Sequence, residues 1–130
     1  MRNIKKNLKT NLKTNKYLKY KLFNLYIKTT LNNTFVTLTD IKGKIKSNYS
    51  GGRFKHIKKA TPYAAESAII KVSKDCLSYG VKRIQLFING IGKSKKTTIK
   101  IIRSIGLKIL AVENITPVPY NGCRKPRKPR

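Results

Sequence analysis

Only four acidic side chains answer thirty-one lysines and arginines in this 130-residue chain, a formal charge of +27. A compact state of that charge repels itself, so any fold must keep almost all of these groups at its surface and gains most from a polyanion beside it. The cations are not confined to one tail on a neutral body. Lys5 and Lys6, Lys42, Lys44 and Lys46, Lys58 and Lys59, Lys95 and Lys96, Arg124 and Arg127 mark the whole length. RNA, DNA and an anionic membrane could each supply the missing charge. The length allows one modest core and not two.

A membrane fits least well. No uninterrupted apolar run approaches the roughly 18–20 residues a helical span requires, and the densest stretch, YLKYKLFNLYI from Tyr17, is broken by Lys19 and Lys21. Its alternation suits a strand entering a core as well as an interfacial helix. Cys76 falls in a predicted helix and Cys123 in a basic tail, and His56 stands alone. That leaves no zinc-ligand spacing, so neither a metal nor a cofactor is expected. Without a disulfide framework or a hydrophobic signal peptide, the expected compartment is intracellular and reducing. Amino acids with AT-rich codons abound, and lysine far outnumbers arginine, although the arginine fork suits nucleic acids better. Mutational bias in an organellar or reduced bacterial genome accounts for both.

Residues 1–23, rich in Lys, Asn and Leu and without caps, read as a basic extension that orders on a partner. A single domain over 24–114 follows. Three β-rich runs, at 25–31, 34–40 and 44–49, are linked by Asn32-Asn33 and by DIKG, with Gly43 closing the second turn;. SGGRFKHIKKATP is glycine-rich, basic and aperiodic, hence a surface loop. Thr61 as N-cap, Pro62 as first helical residue and Gly80 as left-handed stop then delimit a helix. Its stripe is Ala65, Ala68, Ile69, Val72, Cys76 and Tyr79;. VKRIQLFIN alternates as a strand through Ile84, Leu86 and Ile88. Ser94 caps a second helix with Thr98, Ile99, Ile102 and Ile105 on one side and Gly106 at its end, and LKILAVEN forms the last strand. Right-handed crossovers make these strand–helix–strand units locally parallel. The fold class is α/β, with a five-stranded mixed sheet and two main helices.

The tail over 115–130 holds four prolines in ITPVPYNGCRKPRKPR, which exclude helix and keep the chain extended. NGIGKSKKTT, between the fourth strand and the second helix, has the outline of a phosphate loop. A Walker loop needs a further glycine five residues before the glycine of Gly-Lys-Ser, and an acid near the magnesium. Counting back from Gly92 gives Phe87, inside the strand, and the only later acid is Glu113. Nucleotide hydrolysis is therefore not expected. Gly90 and Gly92 still permit close approach of a ligand to the backbone, and the helix N-terminus adds free N–H groups and partial positive charge. Lys93, Lys95 and Lys96 add full charges. An ordinary strand-to-helix turn with solvated lysines is the plainer alternative.

NNTFVTLTD, KKATPYAAESA and ENITPVPYNGCR, in this order and spacing, together with the basic end after them, resemble the universal small-subunit ribosomal protein family conventionally numbered eleven. The likeness covers about residues 25 to 130. It implies a ribonuclease-H-like three-layer sandwich lacking that fold's catalytic acids. It also implies a seat on the small-subunit platform near the exit site, contacts to small-subunit ribosomal RNA through loops and both tails, platform proteins as neighbours, and messenger RNA within reach. The corresponding RNA-facing residues are Arg53, Lys55, Lys58 and Lys59 before Thr-Pro, and Gly90, Gly92, Lys93, Lys95 and Lys96 in the glycine loop. In the tail they are Tyr120, Asn121, Gly122, Arg124, Lys125, Arg127, Lys128 and Arg130. Ser94 and Lys95 replace the family's third glycine and arginine, and Tyr120 replaces its usual histidine, able to stack but not to carry charge. This drift, with the AT-rich usage, points to a mitochondrial ribosome, with a plastid or a bacterial cytoplasm as alternatives. A free-standing RNA- or DNA-binding module would explain the charge but not the ordered motifs. The purified protein is expected to turn over neither ATP nor GTP, and Lys93→Ala to weaken RNA binding only modestly. Turnover abolished by that substitution would refute this.

Overall fold

The computed structural model describes residues 22–53, 61–92 and 95–129. Residues 1–21, the loop segment 54–60 with Lys55, Lys58 and Lys59, and Lys93, Ser94 and Arg130 lie outside the described residues, as does the side chain of Lys96. Five strands and two helices follow one another as β1 (Leu22–Thr29), β2 (Thr34–Asp40), β3 (Ile45–Ser50), α1 (Pro62–Ser78), β4 (Arg83–Gly90), α2 (Lys95–Ser104) and β5 (Lys108–Asn114), with a 3-10 turn at Gly51–Arg53. The sheet order is β3-β2-β1-β4-β5. β1 pairs antiparallel with β2 and parallel with β4, β2 antiparallel with β3, and β4 parallel with β5. This is the mixed five-stranded α/β fold expected from the sequence, with both described helices on one face of the sheet, so the described residues form two layers where the resemblance implied three. Both helices contribute to one apolar core and touch each other. Strand side chains form the opposite face of the sheet.

The core follows from strict alternation. Phe23, Leu25 and Ile27 of β1 are buried, and their partners are Leu38 and Val36 on β2 and Ile84, Leu86 and Ile88 on β4. Each such side chain withdrawn from water contributes about 1.5–3 kcal/mol before conformational entropy is counted. β1 runs Leu22–Thr29 rather than over 25–31. Its apolar period begins inside the lysine-rich stretch, and its far end is cut short by side-chain turn bonds. The Thr30 hydroxyl accepts from the Asn33 N–H at 3.0 Å, and the Asn33 carbonyl oxygen accepts from the Thr30 N–H at 2.8 Å. These bonds draw residues 30 and 31 into the hairpin tip. At the next turn, Gly43 takes φ +81° and its N–H donates to Asp40 O at 2.9 Å, a left-handed position that suits glycine.

The first helix is punctuated as its sequence suggests. Thr61 has extended backbone and its side chain accepts from Ala64 N–H, while Pro62 occupies the first turn, where its missing N–H is not needed. At the other end Gly80 takes φ +74°, its N–H donates to Leu77 O, and Val81 N–H donates to Cys76 O, the Schellman pattern. Ala65, Ala68, Ile69, Val72 and Cys76 are buried, joined by Ala64 and Ser73. Tyr79 departs from the stripe: past the last turn it is 37% exposed, with its ring 6.4 Å from Phe23 and its hydroxyl donating to Lys46 O. Burial pushes the Cys76 thiol up to about 12, so it packs as a small apolar group. Thr98 and Ile102 carry the inward side of α2, and Gly106 ends it at φ +92°. Thr61→Ala should lower stability by about 1 kcal/mol, within the range for a lost N-cap, and Thr61→Ser should restore it. Denaturant midpoints check this, and a mutant that melts like the wild type would mean the cap contributes nothing.

Candidate nucleic-acid interface

Strand direction gathers most of the candidate residues at one end of the sheet. β1, β3, β4 and β5 all run the same way, so the Gly51–Arg53 turn, the loop after Gly90 and the chain after Asn114 leave from the same edge. α1 and α2 begin there as well, which adds two helix N-termini with their partial positive charge. In open α/β sheets the carboxyl ends of the strands are the usual place for ligands.

Within this end, Arg53 is exposed and held by its own surroundings. Its guanidinium lies 4.8 Å from the centre of the Tyr49 ring, and Nη1 donates to Asn48 O at 3.4 Å. The Asn33 side-chain oxygen accepts from Thr34 N–H at 2.8 Å and from Gly52 N–H at 3.2 Å, fastening the turn that bears Arg53 to the β1–β2 hairpin.

The glycine loop is fixed by its own chain. Gly92 N–H donates to the Thr29 hydroxyl at 3.1 Å, and that hydroxyl donates to Asn89 O at 3.1 Å. Gly90 N–H donates to the Thr116 hydroxyl at 3.1 Å. A Cβ at Gly90, whose φ is +104°, would run into the Thr29 carbonyl, and one at Gly92 would come within 2.7 Å of Thr29 Cβ. The close approach these glycines permit is therefore an approach to β1. Lys95 Nζ donates to Asn114 Oδ1 at 3.1 Å, the same oxygen that accepts from the Thr116 hydroxyl at 2.7 Å, so loop and tail share one anchor. Sequence reasoning missed Thr29, Asn33, Asn114 and Thr116 as anchors. Asn33, Asn114 and Thr116 sit in the motifs named above, but their bonds to Gly52, Lys95 and Gly90 join residues far apart in the chain and leave no local pattern.

From Ile115 on, the described chain has neither helix nor strand. Tyr120 is 96% exposed, Asn121 adopts φ +54°, and Gly122, Arg124, Lys125, Arg127 and Lys128 are exposed beyond it. Among the described residues, Glu113 accepts from Gln85 at 2.8 Å, Asp75 accepts from Ser47 at 2.7 Å, and Asp40 accepts from Ile41 N–H. Among the described residues, no cluster of three or more His, Cys, Asp or Glu could hold a metal ion, and no helix is long and apolar enough to cross a membrane.

A mixed α/β sheet that gathers cations, helix N-termini and an exposed basic tail at one end defines a scaffold for contact with a polyanion. The family profile described as ribosomal protein S11 matches residues 24–130, and the chain belongs to that family. It is 40% identical over 107 residues to small ribosomal subunit protein uS11 of Mycoplasmoides gallisepticum, covering 81% of this chain and 88% of that relative. It is also 43% identical over 108 residues to uS11c of Guillardia theta, covering 82% and 83%, and 44% identical over 108 residues to uS11c of Cyanidium caldarium, covering 82% and 84%.

Gly90→Ala should destabilise the fold by at least the roughly 1–3 kcal/mol of a strained backbone position, because the Thr29 clash adds to the left-handed φ. Gly122→Ala, with nothing within 4 Å, should melt like the wild type. Thermal unfolding of both checks the contrast.

Proposed function

We propose that the chain is a structural, non-enzymatic constituent of the small ribosomal subunit and that it binds small-subunit ribosomal RNA. Membership of the S11 family supports the assignment, as do relatives named small ribosomal subunit proteins. The observation that carries it is the convergence of the Arg53 turn, the glycine loop, both helix N-termini and the tail at one end of the sheet. On this reading Arg53, Lys55, Lys58 and Lys59 bind RNA beside the start of α1. Gly90, Gly92, Lys93, Lys95 and Lys96 bind it at the start of α2, and Tyr120, Asn121, Gly122, Arg124, Lys125, Arg127, Lys128 and Arg130 bind it along the tail. Residues 1–21 serve as a second basic arm, two residues shorter than the sequence suggested because Leu22 and Phe23 belong to β1, on a body that runs to Asn114, with 115–130 as the first.

The finer placement also belongs to this proposal: the platform near the exit site, other platform proteins as neighbours and messenger RNA within reach. For the compartment we propose a mitochondrial ribosome, which the AT-rich residue usage supports. Sedimentation of the tagged protein with small subunits from purified mitochondria at moderate salt tests subunit and compartment together. Recovery as a free protein would count against both.

The tail makes a quantitative test. Prolines at 126 and 129 extend it, so its cations reach phosphates with less loss of freedom than a flexible segment would suffer. If the five cations of residues 121–130 each neutralise a phosphate at roughly 0.7 per charge, ending the chain at Tyr120 should flatten the log-affinity against log-salt slope by about 3–4 units. Circular dichroism should first show the truncated domain folded. Normal incorporation with an unchanged slope would move the binding surface onto the Arg53 and Gly90 loops.

A further inference from the structure

We infer that the face of the sheet opposite the two described helices is a stacking surface for unpaired nucleotides of RNA. The inference rests on the RNA-binding role proposed above and adds to it a contact that phosphate binding does not require. Strand alternation that buries Phe23, Leu25 and Ile27 turns Tyr26 the other way, and the same register sets Phe87 of β4 directly beside it. The two rings are parallel within 11° with centroids 4.7 Å apart. On the far side of β1, Phe35 pairs with Lys28 and is 41% exposed. Tyr26, Phe35 and Phe87, with Thr37, Lys28 and the 44% exposed Ile115, line an open groove of about 330 Å³.

The charge around the groove selects its occupant. Lys28 stands on its rim. Phe35 also lines an adjoining hollow with Asn48, Tyr49, Ser50 and Arg53, so a guanidinium lies at one end of the aromatic surface. Glu113, an acid on the same face, is hydrogen-bonded to Gln85. The partner that fits must bring negative charge and flat apolar surface together. Unpaired RNA does so: its bases stack on exposed aromatic rings in any sequence while its phosphates meet the flanking cations. The groove is also continuous with the cationic end of the sheet, since Lys28 and Ile115 adjoin Thr29 and Thr116, the anchors of the glycine loop. One strand of RNA held by phosphate at the loop and tail can therefore lay bases into the groove.

The test uses the full chain and single-stranded RNA decamers carrying 2-aminopurine, whose fluorescence is quenched when it stacks. The wild type should quench the probe on binding. The double variant Tyr26→Leu, Phe87→Leu, which keeps apolar bulk and removes both rings, should lose the quenching and bind roughly tenfold or more weakly. Its salt slope should be unchanged because no cation is removed, and Tyr26→Phe should behave as wild type. If the double variant fails to fold, Tyr26→Leu alone and the wild-type quenching decide the matter. Binding without quenching at any probe position overturns the inference, and so does unchanged affinity in a folded variant. If RNA affinity and quenching stay intact while the variant fails to enter small subunits, the face contacts a neighbouring protein and stacking is again overturned. Failure of the wild type to sediment with small subunits would strike at the ribosomal assignment alone, because the decamer assay needs no ribosome.

Discussion

The register of β1 is the constraint from which the other elements take their places. The strand is paired along both edges, antiparallel to β2 and parallel to β4, and three of its alternate residues lie beneath the helices. A slip of one residue would turn Phe23, Leu25 and Ile27 outward and drive Tyr26 and Lys28 into the core. Burying an unpaired ammonium is costly enough to forbid that arrangement. With the register held, Thr29 must fall opposite Gly90 on one side and Thr34 on the other. Both glycines of the loop follow from this position, because any larger residue at Gly90 would collide with the Thr29 backbone.

Electrostatics explains why such a fold is better suited to being a component than to standing alone. Among the described residues, the ion pair is Lys71–Asp75, at 4.0 Å within one helix and half exposed on the lysine side, a class of contact worth little. Nothing of that size offsets the mutual repulsion of the surplus cations. The core is stabilised by apolar burial, while the surface remains uncompensated until phosphate arrives. Salt at physiological strength screens the repulsion only beyond about 8 Å, and at roughly 3.1 Å per residue of proline-extended chain each consecutive pair among Arg124, Lys125, Arg127 and Lys128 is spaced within that.

How much of this was legible in the sequence depended on how local its cause was. Helix α1 was readable at both ends, because Thr61, Pro62 and Gly80 act within a few residues of themselves. That the strands flanking each helix run parallel was readable from element order and the handedness of crossovers, but that β1, not β3, lies beside β4 was not. The start of β1 was not, since Leu22 and Phe23 sit in a run of lysines whose composition resembles the extension before it. Tyr79 continued the helical period on paper, yet the Schellman turn ends the helix just before that residue could complete the stripe. For the glycine loop, the sequence suggested room for a ligand, and the backbone approach proved to be to Thr29.

The sequence by itself determined the charge, the alternation of β1, β2 and β4, the caps of α1 and the exclusion of helix from the tail, because each depends on neighbours along the chain or on composition alone. Tertiary structure decided what shares a surface. Arg53, Gly90 and Thr116 meet at one end because four strands run in the same direction. Tyr26 and Phe87 stack because a parallel pairing aligned two positions far apart in the chain. Both outcomes come from backbone hydrogen bonding between distant strands, and no segment carries that information until the sheet has formed.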